Sequence, residues 1–416
     1  MKILPRSSSA SALVLALAVV ACKPTAPPAP SAEPSADERF ATLEHDYAVY
    51  MMSRFPVVAT YLGGSAFDRG LAQIDGKLRD YSADALRAED VRLAGFRDRF
   101  TALKPATLSP RRRIDQSVAL AEIGFLLHQH QVRRHQERSI DSFVDEPFRG
   151  VDWQIQGMTP TGPGTYGTDE EWQEVIARLR AVPAYLATAE KQLADGVAAH
   201  NAPDWRVLVE FGLGSTQADA TYFANTLQQI ASTDIASTQR DTLLKDVTAA
   251  AADAAGAYLH LRGFVASTFF DNPAGTDVKA VKPDFRADHF AFGEAEYDWA
   301  LHNNLRLDTT AGDLFAQSWP VVTNTRDKMI AVAREIATSH KWKAPADGAA
   351  VVRMVFEKLS HDAPTTDAEM LDGYRNTGKE LVEYARKTGL FAVPADYRLD
   401  VTVTPPPLQS AIEGAA

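Results

Sequence analysis

The 416-residue sequence predicts a mainly α-helical protein, a large multi-helix assembly of amphipathic helices with a short strand segment near the carboxy terminus. Two observations predict the helices and one the strand. Apolar residues recur at helical spacing through most of residues 37–387. Segment starts repeatedly carry Ser, Thr or Pro where a helix needs a cap or a preset first turn. Period-2 patterns are scarce, but residues 397–404 (YRLDVTVT) alternate, so that Leu399, Val401 and Val403 would share one face of a strand. At this length the chain has room for one large or two ordinary domains. A hydrophobic content of 45% and a charged content of 23% are those of a soluble globular protein. The net charge of -11 argues against a nucleic-acid partner, whose phosphates would be repelled.

Lys2 and Arg6 precede an uninterrupted apolar run, residues 12–21 (ALVLALAVVA). The run falls short of the ~20 residues that span a bilayer. It has the layout of a secretory signal, residues 1–21. The cut region, Val19-Val20-Ala21-Cys22, resembles the lipobox of bacterial lipoproteins. That resemblance implies lipidation of Cys22 and attachment to a membrane through the lipid. Lys23 in the next position, by resemblance to Gram-negative sorting rules, implies the outer membrane, facing the periplasm. Cys22 is the sole cysteine, so no intramolecular disulfide forms. Residues 22–36 combine the cysteine with a Pro/Ala/Ser tether, and residues 37–416 form the helical domain.

Within that domain Phe40, Leu43, Tyr47 and Met51 make the first helical stripe, ended by Phe55-Pro56. Residues 80–103 make the next, through Leu86, Val91, Leu93, Phe96 and Phe100. Ser109-Pro110 opens a third, with Ile114, Val118, Ala121 and Phe125 on one side and Leu120, Ile123 and Leu127 beside them. Residues 139–167, rich in Pro and Gly, read as a long loop that Trp153 anchors. Thr168 and Glu171 form a capping box ahead of Trp172, Val175, Ile176 and Leu179. Pro183 is expected to interrupt or kink this helix, and Pro203 to begin the following one. Helices are expected at 218–230 and 241–270, then from Gly293 to about Leu305. A long helix led by Asp308-Thr309-Thr310 is broken once at Pro320. Residues 351–359 and 367–387 close the helical part, the last with Tyr374, Leu381, Val382 and Tyr384 turned inward.

The pattern Trp172-x-x-x-x-Ala-Arg-Leu-x-x-x-Pro-x-Tyr-Leu186, followed by Gly196-Val-Ala-Ala199 and a Pro-led helix, resembles a bacterial family, domain of unknown function 885. The segment Pro56-x-x-Ala-Thr-x-x-Gly63 and the Gly293-x-x-x-Tyr297 helix followed by a Thr-led long helix match it in order. Many members are lipoproteins. The match covers residues 37 to the end, the amino-terminal two thirds of the family pattern. Beyond this point the family has a zinc metallopeptidase-like region with a His-Glu-x-x-x-Gly-His motif. Here no histidine is followed by glutamate, so no catalytic, cofactor-binding or metal-binding residue carries over. The resemblance implies zinc and a peptide substrate only together with that missing part. The other reading is a non-enzymatic periplasmic lipoprotein acting as a binding or scaffold module.

His128, His130 and His135 are the densest histidine group. His128 and His135 stand about 10 Å apart along a helix, with Arg133 and Arg134 beside them and no adjacent carboxylate or cysteine, so a solvated polar helix end is expected. The adjacent pairs His45-Asp46 and His361-Asp362 do not have dyad spacing. Gly212-Leu-Gly-Ser215 lacks the closing glycine of a nucleophile elbow and the lysine of a phosphate loop. Glu294 and Glu296 are expected to be solvated or capping, and Arg111-Arg112-Arg113 to be surface.

Overall fold

The computed structural model describes residues 33–397, 399 and 401–403. The predicted signal segment, Cys22 and most of the tether lie outside the described residues. Helix α1 (Ala36–Arg54) begins one residue ahead of the expected boundary, because Ser35 and Glu38 close a capping box across its first turn. After the short helices α2 (Pro56–Tyr61) and α3 (Gly64–Phe67) come α4 (Ala83–Ala102) and α5 (Pro110–Gln131). Ser109 caps α5 with Pro110 in its first turn, as expected. Phe40, Leu43, Phe96, Phe100, Ile123 and Leu127 form the buried seam between α1, α4 and α5. The opposite side of α5 departs from expectation: Ile114 and Val118 face solvent.

The segment expected to be a long loop is instead helix α6 (Ile140–Gln156), followed by a small antiparallel pair, β1 (Pro160–Gly162) and β2 (Thr165–Tyr166). Pro147 and Gly150 hid a stripe at helical spacing: Ile140, Phe143, Val144, Phe148 and Val151 are all fully buried. Burying such side chains contributes about 1.5–3 kcal/mol each, which offsets the ~3 kcal/mol an interior proline costs. The same balance carries α7 (Asp169–Ala198) unbroken through Pro183.

The next helix begins at Trp205 rather than at Pro203, because Asp204 caps it, and its run α8 spans 205–234. Two stretches within it, Leu208–Ser215 and Tyr222–Thr226, are π-helical. Helix α9 (Arg240–Phe269) then packs along α7. Its alanines at 250, 251, 254 and 255 are buried and let the two backbones approach closely. Helices α6 to α9 share one continuous core.

The carboxy-terminal helices are α10 (Glu294–Asn303), α11 (Ala311–Ser339), α12 (Gly348–Ser360) and α13 (Asp367–Thr388). Thr310 caps α11, which runs straight through Pro320 rather than breaking there. Its buried contact is Ala333 and Ala337 against Val351 and Val355 of α12. Tyr374, Leu381 and Tyr384 of α13, expected to face inward, are exposed, because nothing described packs on that side. The expected strand near residues 397–404 is not seen where the chain is described: Tyr397, Leu399 and residues 401–403 lie in no strand, and residues 398, 400 and 404 lie outside the described residues. The Val401 carbonyl instead accepts from the Arg375 guanidinium on α13 (3.2 Å). Among the described residues no helix is long and apolar enough to cross a membrane.

Candidate functional site

Three arrangements bring chemistry-bearing side chains together. The first joins segments far apart in sequence. Arg178 on α7 has no exposed surface, and its guanidinium donates to the carbonyls of Lys77 (3.0 Å) and Gly150, to Gln154 Oε1 (2.9 Å) and to Thr60 Oγ1 (2.7 Å). Burial pulls its pKa down to about 10, against the opposing pull of Asp75, Glu146 and Glu174. A side chain at Gly150 would come within 2.9 Å of Val57 and of the Arg178 stem, so the close approach of α6 requires glycine. Tyr61 and Trp153 then pack ring to ring beside it (4.7 Å). The Ala-Thr segment and the Ala-Arg-Leu helix, singled out separately in the sequence, thus meet at one hydrogen bond.

The second is a row of buried acids facing α8. Asp152 on α6 and Asp219 on α8 are almost fully buried, and Asp145 is partly so. Burial, reinforced by Asp145, pushes the Asp219 carboxyl far above its ordinary range. Asp219 Oδ2 and the Tyr222 hydroxyl have no hydrogen-bond partner among the described residues. Sequence spacing gave no warning of this row, because the π-helical stretches shift the register that brings Asp219 inward.

The third is the histidine group, which is not the solvated helix end expected. His128 Nε2 lies 2.9 Å from Glu296 of α10, and the His128 ring stacks on Trp299 at 3.6 Å. Glu296 also faces Arg133 at 3.6 Å, so it is neither solvated nor capping, while Glu294 is exposed as expected. His130 Nδ1 lies 2.7 Å from Asp90 of α4. Burial lowers the pKa of His135 and that of Arg133, whose guanidinium covers the Phe292 ring at 3.5 Å. His128 and His130 therefore take their carboxylates from two different helices, which local sequence spacing does not reveal. Further along the α5–α10 seam an open groove of about 610 Å³ is lined by Arg113, Ile114, Val118, Glu122, Leu305 and Arg306. Outside this seam, His45 pairs with Asp68 (3.0 Å) rather than with Asp46. Ser215 is locked in the π-helix of α8, its hydroxyl on the Glu210 carbonyl. Arg111 and Arg113 are exposed, and Arg112 bonds Glu44 (2.6 Å). Among the described residues, no three His, Cys, Asp or Glu side chains converge as a metal site requires.

Residues 56–416 match the family model described as bacterial protein of unknown function, DUF885. Two solved structures are similar in fold. One is a protein from Colwellia psychrerythraea described provisionally as a lipoprotein, with a TM-score of 0.62 at 15% identity, covering 91% of this chain and 64% of its own. The other, from Shewanella oneidensis, is described provisionally as a lipoprotein of unknown function. It has a TM-score of 0.56 at 15% identity, covering 86% of this chain and 59% of its own. The chain thus spans about three fifths of the length of these solved relatives. No curated protein matches.

Proposed function

The chain belongs to the DUF885 family of bacterial proteins of unknown function, and from that premise we propose that it is the helical, non-catalytic front part of a zinc metallopeptidase-like lipoprotein. In this reading Cys22 carries the lipid, and the body hangs from the outer membrane into the periplasm. Its role is to supply walls of a peptide-binding cleft, one of them the α5–α10 groove with its apolar and charged lining. The described residues do not fit zinc: His128 and His130 are each held by a separate carboxylate, and Arg133 stands beside the first. Zinc and the hydrolytic step therefore belong to polypeptide outside these residues.

The observation that carries the reading is length. The solved relatives cover most of this chain, yet more than a third of each has no counterpart in it. The test is to compare residues 23–416 with the same chain joined to whatever its gene encodes after Ala416. Zinc binding and peptide hydrolysis are expected of the joined product alone. Stoichiometric zinc and hydrolysis by residues 23–416 would overturn the proposal. A clean stop codon with nothing similar downstream would leave the non-enzymatic scaffold reading, which the groove, complete within this chain, also suits. The anchor is tested separately: palmitate label should enter the wild-type chain and be lost from Cys22→Ser.

A further inference from the structure

Apolar surface is distributed unevenly over the molecule. Of the 32 large hydrophobic side chains exposed among the described residues, 22 lie between Phe290 and Val403. Helix α11 shows why. Residues 315–329 are exposed at every position, a length of about 21 Å at 1.5 Å per residue. Phe315, Trp319, Val322 and Met329 follow one another at three-, four- and seven-residue steps, and the same row continues into Ala333 and Ala337, which α12 covers. Helix α12 therefore seals only the last turns of a stripe that runs on, bare, for four more. Helix α13 repeats the pattern. It has no buried residue, yet Met370, Tyr374, Leu381 and Tyr384 align on one side, with Asp372, Arg375, Lys379, Glu383 and Arg386 on the opposite one. A helix with an apolar stripe normally buries it, and contiguous exposed apolar surface of this kind marks an interface.

We propose that the bare stripes of α11 and α13 are the docking surface for polypeptide encoded beyond Ala416, equivalent to length the solved relatives have and this chain lacks, packed there by its own apolar helices or strands. The inference rests on the functional reading above. Two observations choose this occupant over a second copy or a lipid. The bare surface is concentrated in the helices nearest residue 403, where a following segment would first fold back. More than a third of each solved relative also has no counterpart in this chain, a length sufficient to cover both stripes.

The test places the photo-crosslinker p-benzoylphenylalanine at Trp319 or at Leu381 of the full gene product in its own cells, with Val91 as a control. Val91 is exposed but sits on α4, away from the stripes. Irradiation followed by mass spectrometry should give, at Trp319 and Leu381 and not at Val91, a crosslinked peptide encoded beyond Ala416. A crosslink to a second copy of residues 33–403, a crosslink to lipid, or none at the two stripe sites overturns the proposal. The two readings fail separately. If the downstream peptide crosslinks but the joined product neither binds zinc nor hydrolyses peptides, docking stands and the peptidase reading falls. If the joined product hydrolyses peptides without the crosslink, the docking surface is wrong.

Discussion

Arg178 shows how much one side chain can organise. Four acceptors from three separate segments meet its guanidinium inside the core, and its removal would take a buried donor from each of them. Arg178→Ala is expected to cost about 3–5 kcal/mol, measured by urea unfolding. Arg178→Lys should recover little of it, since an ammonium cannot reproduce the planar fork. Asp219 acts in the opposite sense. Burial first, then Asp145, raises its folded pKa above the unfolded value of 3.8. Its proton is therefore held more tightly in the folded state. Its contribution is fully present below that unfolded pKa and is lost as pH rises toward the folded one. Asp219→Asn should accordingly stabilise the protein at neutral pH and have a vanishing effect at pH 3, read from thermal midpoints across that range. Asp204 runs the other way. Burial pushes it up, but bonds from Arg206 and the His289 N–H outweigh burial and hold its pKa at about 2. Its contribution is present above 3.8 and lost as pH falls through about 2, and Asp204→Asn should remove about 2 kcal/mol at pH 7.

At the scale of elements, the helices with clean stripes and caps were legible. Thr168, Ser109 and Thr310 cap the helices their sequences announce. What misled was proline. Pro147, Pro183 and Pro320 all sit inside continuous helices, and at Pro147 and Pro183 tertiary burial, invisible in a local window, offsets the missing N–H. Pro320 lacks even that burial, since its whole neighbourhood is exposed. Pro320→Ala should therefore strengthen α11 by up to about 3 kcal/mol, seen as slower amide exchange over 315–329. Capping could be read from residues three apart, but the Thr60–Arg178 bond spans 118 residues and the His128–Glu296 contact spans 168. No spacing rule reaches that far. Glu296→Gln weakens the one ionic tie from α10 to α5, and exchange protection should fall in α10 while α7 and α9 keep theirs.

Across the whole molecule, two regions differ in how completely they are finished. Helices α6 to α9 share a closed core, whereas α11 and α12 share four small buried side chains and α13 buries none. Residues 33–416 alone should therefore unfold in two steps, the carboxy-terminal helices first, and bind a hydrophobic dye before the main transition. A single transition without dye uptake would show that α11 to α13 are stable as they stand. Sequence periodicity marked α13 as amphipathic correctly. It then assigned Tyr374, Leu381 and Tyr384 to an interior, because a stripe records that a surface wants a partner and not whether the partner is present.

The π-helical stretches of α8 carry a consequence for how the chain tolerates insertion and deletion. A π turn holds one residue more than an α turn, so everything after it is rotated by about 100° relative to an unbroken α-helix. The opened ladder has been absorbed locally: Thr216 Oγ1 donates to the Gly212 carbonyl (2.7 Å), and Arg262 donates to that of Leu213 (3.1 Å). Gly212 meets α9 so closely that a methyl group there would lie 2.8 Å from Val265. Removing Gly214 would let the ladder close into a regular α-helix and turn Asp219 out of the interior, carrying Tyr222 and Phe223 with it. The shorter helix would have better backbone geometry and a worse protein, so the extra residue acts as a phase setting for the second half of α8.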